Sequence, residues 1–560
     1  MLSIFKQIDS FKERIAIESN NKQFSYSYLI EQSDLIASSL LDDKPDLMEE
    51  KIGLLMNPDI DYISSLWGIW KAGGIAVPLS LSAKENELKH YISDCNIKLI
   101  ISSKSCDKKQ CIPNKEGLEV KHLEDFNSQV IKNLPEILPY RKAMILYTSG
   151  TTSKPKGVIS THKNVESQIT ALVKAWEWTE DDHIPLFLPL HHIHGIINSL
   201  SCPLYVGAKV TMLGSFEAEK VCNQVASKNF SVFTAVPTIY FSLIEELENS
   251  NNKDLFEGFK KMRLMMSGSA ALAPEIHKKW KELTGQELLE RYGMTEVGMA
   301  LSNKLNGERR PGSVGAPLPG VEVRLEDDNG VTINSEGEAG QLLIKGPQVF
   351  QGYLNLADKT KESFKNGWFA TGDVVMLEKG YYKILGRDSV DIIKSGGYKI
   401  SALEIEDVLL RNNAIKECAV VGIADEKWGE IVATAIVMRN EPISIEEVQA
   451  WCLNYLSDYK IPRKVRLVDD LPKNSMGKVT KPEIKECAVV GIPDDKWGEI
   501  VAAAVVIKEE IIQSEEIQAW CSSYLSGYKI PRRVIVMKNL PKNSMGKITK
   551  PKLKEALEDN

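Results

Sequence analysis

The sequence lacks a Cys-x-x-Cys pair, blocks of like charge and a leading apolar segment of the kind that directs secretion. Its nine cysteines, an odd number without redox or metal spacing, favour a reducing compartment. The net charge of −7, with acids and bases interleaved, provides no basic face for nucleic acid and no polybasic membrane patch. The first residues, "MLSIFKQIDSFKERIAIES", have the pattern of neither a signal nor a transit peptide. These absences predict a cytoplasmic protein, without stable membrane insertion, whose partners are small molecules.

The apolar pattern predicts an α/β fold. From Lys51 to Leu301, short strands such as "KIGLLM" and "SVFTAV" alternate with amphipathic helices such as "APEIHKKWKELTG". This alternation is typical of parallel sheets with crossover helices. From Gly312 to Tyr382, turn residues recur about every ten residues, which predicts a β-rich subdomain. We therefore predict a large N-terminal domain of parallel α/β sheets plus this subdomain over residues 1–385, followed by a smaller α+β unit.

The smaller unit is followed by a second copy of part of itself. The segment "IKECAVVGIADEKWGEIVATAIV" begins at Ile415, and "IKECAVVGIPDDKWGEIVAAAVV" begins at Ile484, 69 residues later. The same offset separates two copies of "PKNSMGK", which end at Lys478 and Lys547. Because the replacements between the copies are conservative, we expect both to fold as a tandem duplication, and a gene model joining two exons is the alternative. The second copy lacks the segments "GRDSVDIIKSGGYKIS" and "ALEIEDVLL" that precede the first.

A loop rich in glycine and hydroxyl groups, "TSGTTSKPKG", directly follows the predicted strand "AMILY". Backbone N–H groups, hydroxyls and a lysine can together hold phosphates, although the spacing is not that of a Walker A loop. The alternative is a flexible connector. The clusters "SGSAAL" and "RYGMTE" also follow predicted strands, and ligands of doubly wound sheets bind at such strand ends. Helix caps and turns would explain each cluster singly.

Five motifs in order resemble those of the acyl-adenylate-forming superfamily, the acyl-CoA synthetases. They are "TSGTTSKPKG", "RYGMTE", "TGD", "GRDSVDIIKSGGYKIS" and "PKNSMGK", and the resemblance spans nearly the whole chain. It implies that a carboxylate attacks the α-phosphorus of Mg·ATP, after which the thiol of coenzyme A displaces AMP. Such an attack on a polyanion needs charge neutralisation and positioning more than acid–base chemistry.

The resemblance also implies roles for individual residues. The residues expected to hold the β- and γ-phosphates are Thr148, Ser149, Gly150, Thr151, Thr152 and Lys156. Those expected around the adenosine are Tyr292 on the adenine, with Gly268, Ser269, Ala270, Gly293 and Thr295, and Asp373 on the ribose, with Arg387 nearby. Glu296 is expected to hold Mg²⁺, and the hairpin with Gly396, Gly397 and Lys399 to bind coenzyme A. Lys478, Thr151 and Glu296 form the expected catalytic set.

Relatives of this kind rotate a mobile C-terminal domain between the two half-reactions. We expect residues 386–482 to form that domain, with Lys478 as its catalytic lysine, because only the first copy follows the hinge and hairpin. Ser389 stands at the hinge position, where most relatives have Lys or Asp. Residues 483–560 are expected to be an appended repeat in which Lys547 is a solvated loop residue. The added mass could hinder rotation, and an impaired adenylate-binding protein is therefore one alternative.

Arg291, immediately before "YGMTE", indicates which acid is bound. A buried guanidinium is costly without a carboxylate partner, so we expect a dicarboxylic acid, with His192 and Ser267 also lining the pocket. The segments around Arg291 resemble those of malonyl-CoA synthetases, which implies malonate and methylmalonate as substrates. The alternatives are an ion pair between Arg291 and Glu290 or another acid, a metal site in "HHIH", and a ligase for a medium-chain or aromatic acid. The protein is expected to be a monomer or homodimer, and some relatives are mitochondrial.

Overall fold

The computed structural model describes most of the chain between residues 3 and 537. The described ranges are 3–83, 85–103, 116–126, 133–148, 155–388, 391–395, 398–425, 428–439, 443–471, 484–494, 498–507, 517–518 and 531–537. Most described residues as far as Ile384 form one compact unit, and the described residues from Leu385 onward form a second. No helix among the described residues is long and apolar enough to cross a membrane.

Three sheets of the first unit contain its parallel strands. The largest has the strand order β19-β8-β7-β4-β3-β5-β6, the second β2-β1-β10-β9 and the third β11-β12-β13-β14-β15. The strands that build them are β1 Ile15–Ser19, β2 Lys22–Ser25, β3 Lys51–Leu55, β4 Ile75–Pro78, β5 Leu99–Ser102, β6 Glu119–His122, β7 Lys142–Thr148, β8 Lys156–Thr161, β9 His183–Leu186, β10 Lys209–Met212, β11 Val232–Ala235, β12 Leu264–Ser267, β13 Leu289–Met294, β14 Gly298–Ser302, β15 Ala316–Pro317 and β19 Gly352–Tyr353. The predicted α/β class is confirmed.

The helices of the first unit cover these sheets. They are α1 Ser3–Ile8, α2 Tyr26–Leu41, α3 Ile60–Lys71, α4 Glu85–Asp94, α5 His162–Ala175, the π-helix His194–Ser201, α6 Cys202–Tyr205, α7 Ala218–Ser227, α8 Pro237–Asn249, α9 Lys253–Lys260, α10 Pro274–Thr284 and α11 Ala357–Ser363. Helix α3 begins where the Asp59 carboxylate accepts two backbone N–H groups, and its chain turns at Gly73, whose φ is +81°. Its indole rings, those of Trp67 and Trp70, are buried against the large sheet.

The segment with regularly spaced turns forms the antiparallel sheet that its pattern predicts. Its strand order is β17-β16-β18-β21-β20, and β22 pairs with β21. The strands are β16 Glu322–Glu326, β17 Thr332–Ile333, β18 Ala339–Lys345, β20 Phe364–Lys365, β21 Trp368–Glu378 and β22 Tyr381–Arg387. This sheet supplies the "TGD" residues to the first unit.

The second unit contains two separate sheets. The first has the order β24-β23-β26-β25 with β27 beside β26, and the second has the order β28-β29-β30. The strands are β23 Ile392–Ser395, β24 Tyr398–Ser401, β25 Ile415–Asp425, β26 Gly429–Met438, β27 Lys464–Leu467, β28 Ile484–Asp494, β29 Gly498–Ile507 and β30 Arg533–Val536. Helices α12, Ala402–Leu410, and α13, Ile445–Leu453, pack on the first of these sheets.

Candidate active site

Two neighbouring strands carry the residues predicted to bind the acid. Ser267 is the last residue of β12, and it lies opposite Glu290 of β13 in the parallel register. Because side chains alternate along a strand, Glu290 and its neighbour Arg291 point to opposite faces of the sheet. The fold therefore separates the guanidinium from the carboxylate that adjoins it in sequence.

Glu290 has partners of its own. Its Oε1 accepts the backbone N–H of Gly312 at 2.8 Å and lies 3.5 Å from His277 Nδ1. Burial raises the pKa of this carboxyl group, against the opposing effect of His277. The expected alternative, an ion pair of Arg291 with Glu290, is therefore absent from the described part of the chain.

Arg291 carries a buried guanidinium that has no hydrogen-bond or ion-pair partner among the described residues. It is 3% exposed, and Nε, Nη1 and Nη2 make no hydrogen bond to any described residue. Burial lowers the pKa of the guanidinium to about 9, so the group still carries its charge at neutral pH. The hydroxyl of Ser267 is likewise buried and unpaired among the described residues. The guanidinium is therefore a buried cation that a ligand could satisfy. Ser267 pairs with Glu290 in the parallel register, so its hydroxyl lies on the opposite face of the sheet from Arg291.

Gly268 is held against Arg291. A Cβ added to Gly268 would lie 2.5 Å from Cζ of Arg291 and 2.6 Å from its Nε and Nη1. The backbone of the predicted adenine loop therefore covers the face of the guanidinium as only glycine permits. The next residues of the loop, Ser269 and Ala270, are exposed, and Ser269 has a left-handed φ of +71°.

His194, and not His192, connects strand β11, the neighbour of β12, to this loop. Its Nε2 lies 2.7 Å from the hydroxyl oxygen of Thr234, and its Nδ1 lies 3.1 Å from that of Ser269. Burial, and next the charge of Arg291, hold the pKa of His194 well below its ordinary value, so the ring is neutral. Because the left-handed conformation of Ser269 costs energy, this hydrogen bond helps to hold it. Sequence reasoning missed His194, since "HHIH" gives no signal that separates its histidines.

His192 lies beside this arrangement. It is partly buried, its ring centroid is 4.2 Å from that of His191, and burial lowers its pKa. Within the described ranges no group of three or more His, Cys, Asp or Glu side chains could hold a metal ion. Both ring nitrogens of His194 are occupied by hydroxyl groups, so "HHIH" does not have the arrangement of a metal site.

Asn198 is a second residue that the sequence did not single out. It belongs to the same π-helix as His194 and is fully buried, and neither amide atom has a partner among the described residues. Asn198 follows His194 by four residues, which is about one turn of the helix, so the two side chains lie on nearly the same side of it. Only its polarity within the apolar run "GIINSL" hints at a role.

The predicted adenosine residues Tyr292 and Asp373 are joined to each other. The Tyr292 hydroxyl donates to Asp373 Oδ2 at 2.5 Å, which links β13 to β21. The cluster "RYGMTE" was expected to follow a strand, but its first four residues, including Tyr292, belong to strand β13. The strand turns back after Met294, and Thr295 lies in the hairpin turn. At Gly293, where the pairing with β14 is irregular, a Cβ would lie 2.1 Å from the Gly298 carbonyl oxygen.

Glu296 and Lys156 both contact Tyr353, a residue that sequence reasoning missed. The Tyr353 hydroxyl donates to Glu296 Oε1 at 2.9 Å, and Lys156 Nζ lies 5.8 Å from the centroid of the Tyr353 ring. Thr148 faces Lys156 across the antiparallel pair β7 and β8, so these residues mark the two ends of the predicted phosphate loop. One tyrosine on β19 thus connects the predicted magnesium carboxylate with the phosphate lysine.

The second unit holds two described residues of the predicted site. Arg387 is exposed, and its backbone N–H donates to Asp391 Oδ2 at 3.1 Å. Lys399 lies opposite Lys394 in the hairpin β23–β24. The predicted residues that lie outside the described ranges are Ser149, Gly150, Thr151, Thr152, Ser389, Gly396, Gly397, Lys478 and Lys547.

Two family models match the chain, over three ranges in all. The family model described as AMP-binding enzyme matches residues 4–354. The model described as AMP-binding enzyme C-terminal domain matches twice, at residues 404–478 and 479–547. The second match begins directly after the first ends, as expected from the repeat.

The alignments with individual relatives cover nearly the whole length of each relative. The mitochondrial malonate–CoA ligase of Bos taurus is 39% identical over 523 residues, which cover 86% of this chain and 89% of the relative. The malonate–CoA ligase of Arabidopsis thaliana is 37% identical over 537 residues, covering 86% and 87%. The crystal structure of ATP-bound MatB from Rhodopseudomonas palustris superposes with a TM-score of 0.78 at 31% identity, covering 85% of this chain and 96% of that one.

Proposed function

Because this chain belongs to the family of AMP-binding enzymes, we propose that it is an acid–thiol ligase that converts malonate to malonyl-CoA. A carboxylate oxygen of the acid attacks the α-phosphorus of ATP, and the bond to the β-phosphate breaks to release pyrophosphate. The sulfur of coenzyme A then attacks the carbonyl carbon of the acyl-adenylate. AMP leaves with the bridging oxygen, and the thiol gives up its proton.

The unpartnered guanidinium of Arg291 is the observation that carries the choice of acid. A buried charge without a partner costs several kcal/mol, and a second carboxylate on the substrate would offset that cost through a charge-assisted pair. Malonate has such a carboxylate, and so does methylmalonate. The relatives named malonate–CoA ligases support the same choice.

Glu296 fits a magnesium ion that is shared with the substrate. Mg²⁺ is commonly bound by one or two carboxylates together with substrate phosphates, and it prefers oxygen ligands. Glu296 is 6% exposed, and the hydroxyl of Tyr353 orients one of its oxygens. When bound, the ion neutralises charge on the phosphates. Lys156 and Thr148 then hold the departing phosphates, together with Ser149, Gly150, Thr151 and Thr152.

The remaining predicted residues act on the nucleotide and the thiol. Tyr292 stacks on adenine, and Asp373, oriented by the Tyr292 hydroxyl, accepts the ribose hydroxyls beside Arg387. Lys478 bridges the carboxylate and the α-phosphate in the first step. The hairpin with Gly396, Gly397 and Lys399 guides the thiol arm of coenzyme A in the second.

The test measures acyl-CoA products by mass spectrometry from ATP, Mg²⁺, coenzyme A and each of four acids, namely malonate, methylmalonate, hexanoate and benzoate. We expect malonate to give the largest kcat/KM. Arg291→Met should lower kcat/KM for malonate and methylmalonate by about 100- to 1,000-fold. Arg263→Met, at a cation already paired with Asp182, should keep the order of preference among the acids. Faster reaction of hexanoate or benzoate with the wild type would contradict the proposal.

We also propose a cytoplasmic location and a monomeric or homodimeric state. The nine cysteines, which have neither redox nor metal spacing, support the first. Several relatives are named as mitochondrial. Fractionation of cells that express a tagged chain, and light scattering of the purified protein, test the two statements. Recovery in the mitochondrial fraction, or a larger assembly, would contradict them.

A further inference from the structure

Helix α12 completes the core of the first C-terminal copy. Its residues Ala402, Ile405, Val408 and Leu409 belong to one buried cluster with β25, β26 and α13. Three polar contacts hold the helix to this copy, namely Val420 N–H to Glu406 Oε1 at 2.7 Å, Trp451 Nε1 to the Val408 carbonyl at 2.8 Å, and Lys460 Nζ to Glu404 at 2.7 Å. The sheet of the first copy therefore depends on a helix that precedes it in the chain.

The second copy repeats the backbone register of the first. Ile415 pairs with Met438, and Ile484 pairs with Ile507, each position being displaced by 69 residues, and the irregularity after the first pair recurs. Strand β30 lies parallel to β29 as β27 lies parallel to β26, with the same displacement. The Gln518 amide donates to the Pro531 carbonyl at 3.0 Å, as Gln449 donates to Pro462 at 2.9 Å. The two copies thus form equivalent sheets.

The second copy also retains the residue types that receive α12 and the hairpin. In the first copy these positions are Ile415, Cys418, Val420, Gly422, Glu430, Val432, Ile436, Val448, Trp451, Cys452, Leu456, Tyr459 and Lys460. The second copy is identical at every one of them except two. Ile436 corresponds to Val505 and Val448 to Ile517, so one methylene is lost and one is gained, and the summed volume is unchanged.

The chain contains one α12 for these two sheets. Between Leu471 and Ile484 the sequence is "PKNSMGKVTKPE", which has no counterpart of "ALEIEDVLL". We propose that α12, with the preceding strands β23 and β24, exchanges between the two copies within one chain. Each arrangement builds a complete C-terminal domain, so Lys547 can replace Lys478 as the lysine of adenylation. This inference rests on the proposed function.

Loop closure sets the balance between the two arrangements. In the observed pairing, the residues 411–414 connect α12 to its sheet, whereas the alternative needs residues 411–483, a connection of 73 residues in place of four. The closure entropy scales with the 3/2 power of length, which favours the first copy by about 80-fold. The second copy should therefore hold α12 in about 1% of molecules.

Malonyl-CoA formation by lysine variants tests the exchange. Lys478→Ala should retain about 1% of wild-type kcat, the estimate that follows from loop closure, and the double variant Lys478→Ala/Lys547→Ala should have none. Equal rates for the single and double variants, in a preparation whose wild type is active, would overturn the exchange. Failure of the proposed function is distinct, because then the wild type itself makes no malonyl-CoA. The residual rate should be linear in protein concentration, and a quadratic dependence would overturn exchange within one chain.

The repeat provides a matched pair of control substitutions. Val420 is fully buried in the cluster that receives α12, and Val489 is its counterpart in the second copy. In the Lys478→Ala background, Val420→Asp should raise the residual rate at least several-fold, because it drives α12 to the second copy. Val489→Asp in the same background should abolish the rate. The opposite order, or an equal effect of the two substitutions, would overturn the proposal.

Discussion

Replacement of Arg291 by methionine is expected to make the protein more stable and less active. Methionine is unbranched and apolar, and it fills much of the volume of the side chain without its charge. The guanidinium has no partner among the described residues, so its removal leaves no buried acid without a cation. Stability and malonate activity should therefore change in opposite directions.

The magnitude of the stability gain follows from the pKa of the guanidinium. Burial lowers this pKa from its ordinary range to about 9, which corresponds to a penalty of about 4 to 5 kcal/mol on the charged folded state. Part of this gain is lost because methionine packs less well against Gly268, and we expect a net gain of about 2 to 4 kcal/mol. Removal of the cation that pairs the second carboxylate should lower kcat/KM for malonate by about 100- to 1,000-fold.

The pH dependence has a definite sign. Below pH 9 the guanidinium is charged in both the folded and the unfolded chain, so the penalty is fully present there. Above pH 9 the folded chain loses the Arg291 proton while the unfolded chain keeps it. Because the unfolded chain then binds more protons, the unfolding free energy of the wild type rises with pH. The difference in unfolding free energy between Arg291→Met and the wild type should therefore be smaller at pH 10 than at pH 7.5.

Chemical denaturation without ligands measures this difference, and Arg263→Met serves as the matched control. Arg263 donates to both carboxylate oxygens of Asp182, at 2.8 and 2.6 Å, and Asp182 is 3% exposed. The same substitution there should destabilise the protein by about 2 to 4 kcal/mol, because a buried acid loses its cation. If Arg291→Met also destabilises the ligand-free protein, the guanidinium has a partner in the folded chain and the reasoning is refuted.

Three further substitutions are expected to have separable effects. Gly268→Ala should raise the KM for malonate at least 10-fold in steady-state assays, because the added Cβ would lie 2.5 Å from Cζ of Arg291. Ala270→Ser, in the same loop, is the control and should leave this KM unchanged. Tyr353→Phe should raise the Mg²⁺ concentration for half-maximal rate by about 10-fold, since Glu296 loses an orienting hydrogen bond, and an unchanged Mg²⁺ titration would contradict this. Burial lowers the pKa of His162 to about 3, so below about pH 6.5 the unfolded chain binds one proton more than the folded chain. The free energy of unfolding therefore falls as the pH falls. His162→Leu should reduce the slope of unfolding free energy against pH by about one proton, measured by denaturation at pH 5 to 6.5.

The elements whose signals are local in sequence were predictable. Helix α10 begins with Pro274 and ends at Gly285, whose φ is +74°, as the sequence pattern indicates. The apolar segments likewise mark β7, β10, β11 and β12. Their distribution over three sheets was not predictable, because β1 pairs with β10, a strand almost 200 residues later. No local pattern encodes such a pairing.

The residues of the candidate site likewise separate into those that the local sequence predicts and those that it does not. Arg291 could be singled out because a charge before "YGMTE" is a conspicuous local feature, and the structure shows it buried without a described partner. Tyr353 and His194 could not be singled out, since their importance lies in contacts with Glu296 and Ser269, 57 and 75 residues away. The domain boundaries and the roles of individual residues stay predictions that the proposed experiments test.

The contact between Gly268 and Arg291 makes substitutions at these two positions depend on each other when the preferred acid changes in evolution. With an arginine at position 291, any residue larger than glycine at position 268 displaces the guanidinium, because a Cβ there would lie 2.5 Å from its Cζ. A larger residue at 268 therefore weakens binding of a second carboxylate as long as the arginine is retained, and a return to a dicarboxylate substrate favours the glycine. The order of substitutions is therefore constrained, and switches of substrate between monocarboxylic and dicarboxylic acids should leave paired changes at these two positions.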